Sequence, residues 1–241
     1  MIVDGKKIAD EILQGLKGAY TLGVVMNKGD AASDSYIKMK ERVAARVGVV
    51  VRRFGVEEFT HALLCDGVIV QLPIDNAEEL LAQIPPEKDV DALGRNPLVL
   101  SPVAGAVQEI LLRTHTDVKN KKAVVVGAGR LVGQPAAKFL RELGAEVSIV
   151  ILESGSLTEL KDADIVVSGT GSPGLIKPEM LKAGVVLIDA GASESLGRLQ
   201  GDADPTCAAV ASVFTPVPGG VGPIAVAILF KNLFGLVKHH Q

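Results

Sequence analysis

Hydrophobic and polar positions alternate along this chain with two textures. In the first part, residues 8–16 put Ile8, Ile12 and Leu16 on one face of a helix. Residues 20–25 are a short apolar run bounded by glycine and predict a strand. Residues 36–47, rich in Lys, Arg and Ala, predict a helix that stops at Gly48, and residues 49–54 predict a second strand. A third strand, Gly67-Val68-Ile69-Val70, runs into Gln71-Leu72-Pro73, and residues 76–84 predict a helix ahead of Pro85-Pro86. After Lys119-Asn120-Lys121-Lys122 the rhythm is cleaner. Strands are predicted at 123–126, 146–152, 165–168 and 185–189, and helices at 131–143, 156–161 and 223–236. These strands are apolar on both faces, as parallel strands covered by helices on each side require. The alternation places the chain in the α/β class.

Composition narrows the picture. A length of 241 residues is long for one domain and comfortable for two, and 48% apolar residues supply a sizeable core. The formal charge of −3, without a long basic run, gives no footprint for nucleic acid. Trp is absent, which removes most base-stacking platforms. Cys65 and Cys207 stand alone, match no metal or redox spacing, and fit buried thiols in a reducing compartment. No signal-peptide pattern opens the chain. Runs such as 123–126 and 185–188 fall far short of a membrane span. These features predict a soluble cytoplasmic protein with no metal, membrane or nucleic-acid partner.

Candidate chemistry concentrates in four places. Residues 215–223 read Thr-Pro-Val-Pro-Gly-Gly-Val-Gly-Pro, with three glycines and three prolines in nine positions. Such a stretch continues neither helix nor strand. It is a shaped loop that lets backbone approach something flat or crowded, although taken alone it equally serves as a rigid connector. Gly127-Ala128-Gly129-Arg130-Leu131-Val132-Gly133 lies between a predicted strand and a predicted helix, where a phosphate-binding turn belongs. Gly127 and Gly129 allow the turn and close approach, Gly133 allows helix and sheet to pack, and the helix N-terminus favours a pyrophosphate. Glu153, at the end of the next strand and 20 residues beyond Gly133, suits the adenosine ribose hydroxyls and repels a 2′-phosphate. Between residues 146 and 160 there is no Lys or Arg in compensation, and Arg130 is the nearest cationic candidate. Tyr36 and Lys40, four residues apart, share a helix face. The order of motifs here is the reverse of that in short-chain dehydrogenases, which also carry Tyr-x-x-x-Lys. Gln71 ends a buried strand, the usual place for a functional group in an α/β sheet, and Asp91 follows a proline-containing turn.

Together these motifs resemble the bifunctional methylenetetrahydrofolate dehydrogenase/methenyltetrahydrofolate cyclohydrolases. The resemblance covers nearly the whole chain in motif order: Asp4-Gly5-Lys6, residues 32–40, 70–73, 88–91, 127–135 and 215–223. It implies an α/β protein of two domains, a Rossmann-type nucleotide domain (106–220) and a smaller α/β substrate domain (1–105 with 221–241), with a cleft between. It also implies a homodimer joined through the nucleotide domains. Lys40 becomes the central catalytic group, held by Gln71, with Tyr36 and Asp91 catalytic and lining the folate site. Pro218, Gly219, Gly220 and Val221 become substrate contacts. Gly127, Ala128, Gly129, Arg130, Val132, Gly133, Glu153 and Ala192 become cofactor contacts. NADP is the implied cofactor, while Glu153 keeps NAD plausible.

The chain also departs from the family pattern. It is short between Phe54 and Gly67 and after Pro73. Ser101-Pro102-Val103-Ala104 replaces Pro-Cys-Thr-Pro, Ala225 replaces a threonine, and Gly129 replaces the usual serine. The expected activity is oxidation of 5,10-methylenetetrahydrofolate followed by hydrolysis of the methenyl product to 10-formyltetrahydrofolate. A dehydrogenase without the hydrolytic step, or a non-catalytic folate- or nucleotide-binding relative, are the alternatives. Retention of Lys40 with Tyr36, Gln71 and Asp91 counts against a pure binder.

Overall fold

A computed structural model describes every residue except 28–30, 153–155, 196–197 and 240–241; the side chains of residues 31–36, 194–195, 198 and 239 also lie outside the description. In chain order the main elements are α1 (Gly5–Gln14), β1 (Thr21–Val25), α2 (Ala31–Val47), β2 (Val50–Phe54), α3 (Phe59–Ala62), β3 (Gly67–Val70), α4 (Ala77–Gln83) and α5 (Pro102–Arg113). There follow β4 (Lys122–Val126), α6 (Gly133–Glu142), β5 (Glu146–Val150), β6 (Ile165–Ser168), β7 (Val186–Asp189), β8 (Ser193–Ser195), β9 (Arg198–Gln200), β10 (Val213–Phe214) and α7 (Val221–His239). The chain divides into two compact units.

One unit comprises residues 9–102 and 226–241. Its sheet is parallel, in the order β2-β1-β3. Strand β1 is central, so both its faces must be covered. On one face Leu22, Val24 and Ile69 pack with Leu13 of α1, Ile37 and Ala44 of α2, and Phe230, Leu233 and Leu236 of α7. On the other, Val25, Val68 and Val70 pack with Phe59 and Ala62 of α3 and Leu80 and Leu81 of α4. Alternation along each strand sorts these side chains to opposite faces. Asn232 of α7 is buried and donates from Nδ2 to the carbonyls of Val90 (3.0 Å) and Leu100 (2.9 Å), tying the helix to the segment that carries Asp91.

The other unit comprises residues 1–8 and 103–225. Its main sheet has five strands, all parallel, in the order β10-β7-β6-β4-β5. The chain moves from β4 outward to β5, then crosses back to β6 on the far side of β4. This reversal is the Rossmann arrangement, and it creates a crevice at the carboxyl ends of the strands. The opening residues extend the far edge. Ile2 bridges Phe214 in parallel, the Val3 N–H donates to the Phe214 carbonyl and the Phe214 N–H to the Met1 carbonyl, each at 2.9 Å. Residues 1–8, assigned from sequence to the substrate side, therefore pack with the nucleotide-type unit.

Several elements differ from the sequence expectation. Helix α5 has no counterpart in it. Pro102 occupies its first turn, where a missing N–H is harmless, and Ala104, Val107, Ile110 and Leu111 are buried at helical spacing. The short antiparallel pair β8–β9 and the two-residue β10 are likewise unforeseen, being too brief to leave a periodic signal. The short helix read at 156–161 is a 3₁₀ turn over Leu157–Lys161. Helix α7 starts at Val221, because Pro223 fits the first helical turn. The apolar runs cited from sequence are short, yet residues 221–238 of α7 are long and apolar enough to cross a membrane by length and composition. More than half of that stretch is buried within the protein, and Phe230, Leu233 and Phe234 belong to the core described above.

Phe230 is fully buried at the centre of that core. Phe230→Ala is expected to cost about 3–5 kcal/mol, read as a lower urea midpoint for the unit containing β1. A loss below about 1 kcal/mol would mean that α7 does not carry this core.

Candidate active site

The Lys40 side chain leaves the middle of α2, and Gln71 follows the last residue of β3. Gln71 is held by its own backbone, whose N–H donates to the Val25 carbonyl at 2.8 Å and so prolongs the β1–β3 pairing. Its side-chain amide is oriented at both ends. Nε2 donates to the Leu72 carbonyl (3.3 Å), and Oε1 accepts from Lys40 Nζ (2.9 Å). The Leu72–Pro73 peptide bond is cis. Lys40 is half-buried. Burial pushes its amine below the ordinary lysine range, against an opposing upward pull from the Asp91 carboxylate. Burial pushes Asp91 up, the Lys40 charge pulls it down, and Asp89 adds a smaller upward push. Lys40, Gln71 and Asp91 thus form one electrostatic group. Tyr36 lies one turn earlier on α2, with its side chain outside the described residues.

The turn that presents Asp91 is built by Asp89, to which the sequence reading gave no role of its own. Asp89 is 1% exposed, bridges Val68 in parallel, and accepts the backbone N–H of Leu93 (3.2 Å) and Gly94 (2.7 Å). Gly94 is required by this packing, since a Cβ there would stand 2.9 Å from the Asp89 carboxylate. Lys88 reaches away and donates to the Leu63 carbonyl at 2.6 Å. The available signal was an acid two residues before Asp91 with glycine five residues on, a spacing suited to a carboxylate that gathers turn amides. Inside this turn Ala92 has φ of 55°, the left-handed region that favours glycine.

In the other unit the turn after β4 has the geometry expected of a phosphate cradle. Gly127 has φ of 97°, and a Cβ on it would come within 2.9 Å of the Gly169 carbonyl. A Cβ on Gly133 would collide with the Gly127 carbonyl, so α6 starts pressed against the turn. Gly129 is exposed and has open space on its Cβ side. Val132, at the N-cap of α6, packs on the Gly169 backbone, and Gln134 Nε2 donates to the Ala128 carbonyl (3.1 Å). Glycines at both close approaches, with an open side and a helix N-terminus, fit a dinucleotide pyrophosphate. Arg130 is half-buried in this turn and Ala192 is exposed in the segment after β7. Glu153 lies outside the described residues.

The proline- and glycine-rich loop belongs to this same unit. The Val217–Pro218 bond is cis, Gly219 has φ of 105°, Pro218 is exposed, and Gly220 and Val221 are buried where α7 begins. The Gly5 N–H donates to the Gly219 carbonyl at 2.9 Å, and a Cβ on Gly5 would collide with the Gly220 carbonyl. The glycine of Asp4-Gly5-Lys6 is therefore a brace for the loop.

A hydrogen-bonded lysine–glutamine pair on one α/β unit and a glycine turn between strand and helix on a Rossmann unit fit the class of two-domain nucleotide-dependent α/β enzymes. Residues 101–241 match the family described as tetrahydrofolate dehydrogenase/cyclohydrolase, NAD(P)-binding domain. The bifunctional protein FolD of Staphylococcus aureus is 32% identical across 96% of this chain and 94% of its own length. The crystal structure of the bifunctional FolD methylenetetrahydrofolate dehydrogenase/cyclohydrolase from Campylobacter jejuni superposes with a TM-score of 0.91, at 26% identity, over 100% of this chain and 99% of that one. The Trypanosoma brucei enzyme, complexed with NADP cofactor and inhibitor, gives 0.88 at 28% identity, over 100% and 98%. The chain belongs to the tetrahydrofolate dehydrogenase/cyclohydrolase family.

Two substitutions test the local geometry. Ala92→Gly removes a left-handed alanine and is expected to stabilise the protein by about 1 kcal/mol, seen as a higher urea midpoint; an unchanged or lower midpoint contradicts the strain. Gly5→Ala is expected to displace the 219–220 loop and to destabilise the protein. A variant with wild-type melting and activity would show that the brace is dispensable.

Proposed function

We propose that this protein oxidises 5,10-methylenetetrahydrofolate with NADP and hydrolyses the resulting methenyl form to 10-formyltetrahydrofolate. The observation that carries the hydrolytic half is the Lys40 Nζ to Gln71 Oε1 hydrogen bond at 2.9 Å, within reach of the Asp91 charge. Family membership and the glycine turn support the oxidative half.

The chemistry assigned to each group follows from its surroundings. NADP, when bound, accepts the hydride, and Gly127, Ala128, Gly129, Arg130, Val132, Gly133 and Ala192 are the residues we assign to holding it. Water then adds to the bridging carbon of the methenyl cation. One water proton passes to the neutral Lys40 amine and is returned to the ring nitrogen as that carbon–nitrogen bond opens, and the second is released to solvent as the hydroxyl on the bridging carbon becomes the formyl carbonyl. A free lysine, with a pKa of ~10.4, is a poor base at neutral pH. Burial lowers that barrier, and a cationic substrate lowers it further. Gln71 holds the amine through one N–H and adds no charge, which leaves the nitrogen lone pair free to take a proton. Asp91, as a carboxylate, suits the N–H donor edge of the pterin. Tyr36 and residues 218–221 are assigned to the folate wall. A dehydrogenase lacking the second step is the remaining alternative, favoured by the altered Ser101–Ala104 wall.

We place the protein in the cytoplasm as a homodimer, on the family resemblance and on two buried free thiols, Cys65 and Cys207. Sedimentation equilibrium decides the oligomeric state. Glu153, with no basic neighbour in sequence, supports weak discrimination between NADP and NAD. Glu153→Ser is expected to move kcat/KM toward NADP, and a strong wild-type preference for NADP that the substitution leaves unchanged removes Glu153 from the ribose site.

Following reduced cofactor and methenyl product separately tests both steps. Lys40→Met is expected to lower cyclohydrolase turnover by about 10²–10⁴-fold and to spare part of the dehydrogenase activity. Turnover within a few-fold of wild type removes Lys40 from the mechanism. The pH profile gives a second check. Lys40 acts as a base only when neutral, so cyclohydrolase kcat rises with pH through its lowered pKa. Asp91 favours the protonated amine, so Asp91→Asn is expected to move that rising limb to lower pH. A limb that stays in place, or moves up, overturns the coupling.

A further inference from the structure

Two buried acids in the Rossmann unit have no place in the chemistry above. Asp202 is 0% exposed and Asp189 is 1% exposed. Asp202 Oδ2 accepts from Ser168 Oγ (2.6 Å) and the Thr170 N–H (2.7 Å), and its Oδ1 accepts from the Ser172 N–H (2.8 Å). Asp189 Oδ1 accepts from the N–H groups of Gly191 (2.9 Å) and Asp202 (3.2 Å), and Oδ2 from that of Ala203 (2.8 Å). The Asp189 N–H donates to Thr215 Oγ1 at 2.7 Å, and that hydroxyl donates back to the Asp189 carbonyl at 3.2 Å. The two acids also interlock sterically. A Cβ on Gly191 would collide with the Asp202 carboxylate, and one on Gly201 with the Asp189 carboxylate.

Burying two carboxylates near each other opposes folding unless both are fully hydrogen-bonded. Stability alone therefore does not explain why two acids occupy this spot. Their partners do: nearly all lie in loops. Residues 169–172 leave the carboxyl end of β6, residues 190–192 leave that of β7, residues 201–203 follow β9, and Thr215 opens the proline- and glycine-rich loop. In an open parallel sheet, ligands bind outside the carboxyl ends of the strands.

We propose that Asp189 and Asp202 are positioning residues that shape the dinucleotide site by locking residues 169–172, 190–192 and 201–203 and Thr215 into one rim. The proposal rests on the reading that this unit binds a dinucleotide. Its geometry has a consequence for pH. Every partner of the Asp189 carboxylate among the described residues is an N–H donor, so protonation weakens these charge-assisted bonds, adds an O–H that none of them can accept, and loosens the backbone at residues 191 and 202–203. Burial, with the Asp202 charge facing it, pushes Asp189 up to about 6. The folded protein therefore takes up a proton that the unfolded chain, at ~3.9, does not. Below about pH 6 the acid is neutral and its burial no longer opposes folding. Above that pH the rim is ionised and tight. Asp189 thus exchanges some stability at neutral pH for a fixed rim.

Calorimetric titration with NADP, on wild type and on Asp189→Asn and Asp202→Asn, tests this with fold checked by thermal melting. At pH 7.5 each variant is expected to bind at least ten-fold more weakly. For Asp189→Asn, the ratio of its Kd to that of wild type is expected to shrink toward unity as pH falls from 7.5 to 5. The ratio cancels titration of the phosphate on NADP itself. Folded variants with Kd within two-fold of wild type, or a ratio indifferent to pH, overturn the proposal. A merely structural role would lower the melting temperature and the active fraction, with Kd unmoved. If the variants fail to fold, Ser168→Ala removes a single bond to Asp202 and is expected to weaken NADP about three-fold; no change there also overturns it. Wild type that binds neither NADP nor NAD would instead sink the dinucleotide reading.

Discussion

A buried parallel strand runs out of backbone partners at its carboxyl end, and the chemistry of this protein is gathered where that happens. Gln71 follows β3, Gly127 follows β4, Ser168 ends β6, Asp189 ends β7 and Thr215 follows β10. At each of these points the chain leaves the sheet, and its N–H groups need new acceptors. Here they find them in carboxylates, in the next loop, or in a carbonyl one strand away. The polar groups exist because the strands end, and within each main sheet the strands end together because they are parallel.

The two units use charge differently. Around Lys40 a cation is held beside a neutral amide and kept from full solvation, which favours release of its proton. In the Rossmann unit, two carboxylates are buried and surrounded by donors, which fixes the loops around them. The first arrangement prepares a group to change its protonation state. The second fixes loop geometry, and burial beside Asp202 pushes Asp189 up to about 6. Asp89 is a smaller instance of the second kind inside the unit that holds the first: it gathers the turn amides of Leu93 and Gly94 so that Asp91 faces Lys40.

Glycine takes on one task repeatedly. Gly5 against Gly220, Gly133 against Gly127, and Gly94, Gly191 and Gly201 against carboxylates are all places where a methyl group would meet backbone or an acid. Three of these lie far apart in sequence from the group they admit. Loss of one would be felt at a group distant in sequence, as the Gly220 carbonyl is from Gly5.

Much of this was legible in the chain. Both-face apolar strands at 67–70, 123–126, 165–168 and 185–189 could only be parallel and covered, so the α/β class followed from period and length. Lys40, Gln71 and Asp91 stood out by motif, and the turn at 127–133 by its glycines between strand and helix. What the chain alone left undecided depends on contacts between distant residues. The N-terminal eight residues carry no signal that they pair with Phe214. Helix α5 hides behind Pro102 and Gly105, and β8 to β10 are too short for any period to register. Asp89, Asp189 and Asp202 look like ordinary polar ends of strands and turns. Only the fold reveals that they are buried, because burial is a property of what packs around a carboxylate and not of the residues beside it in sequence.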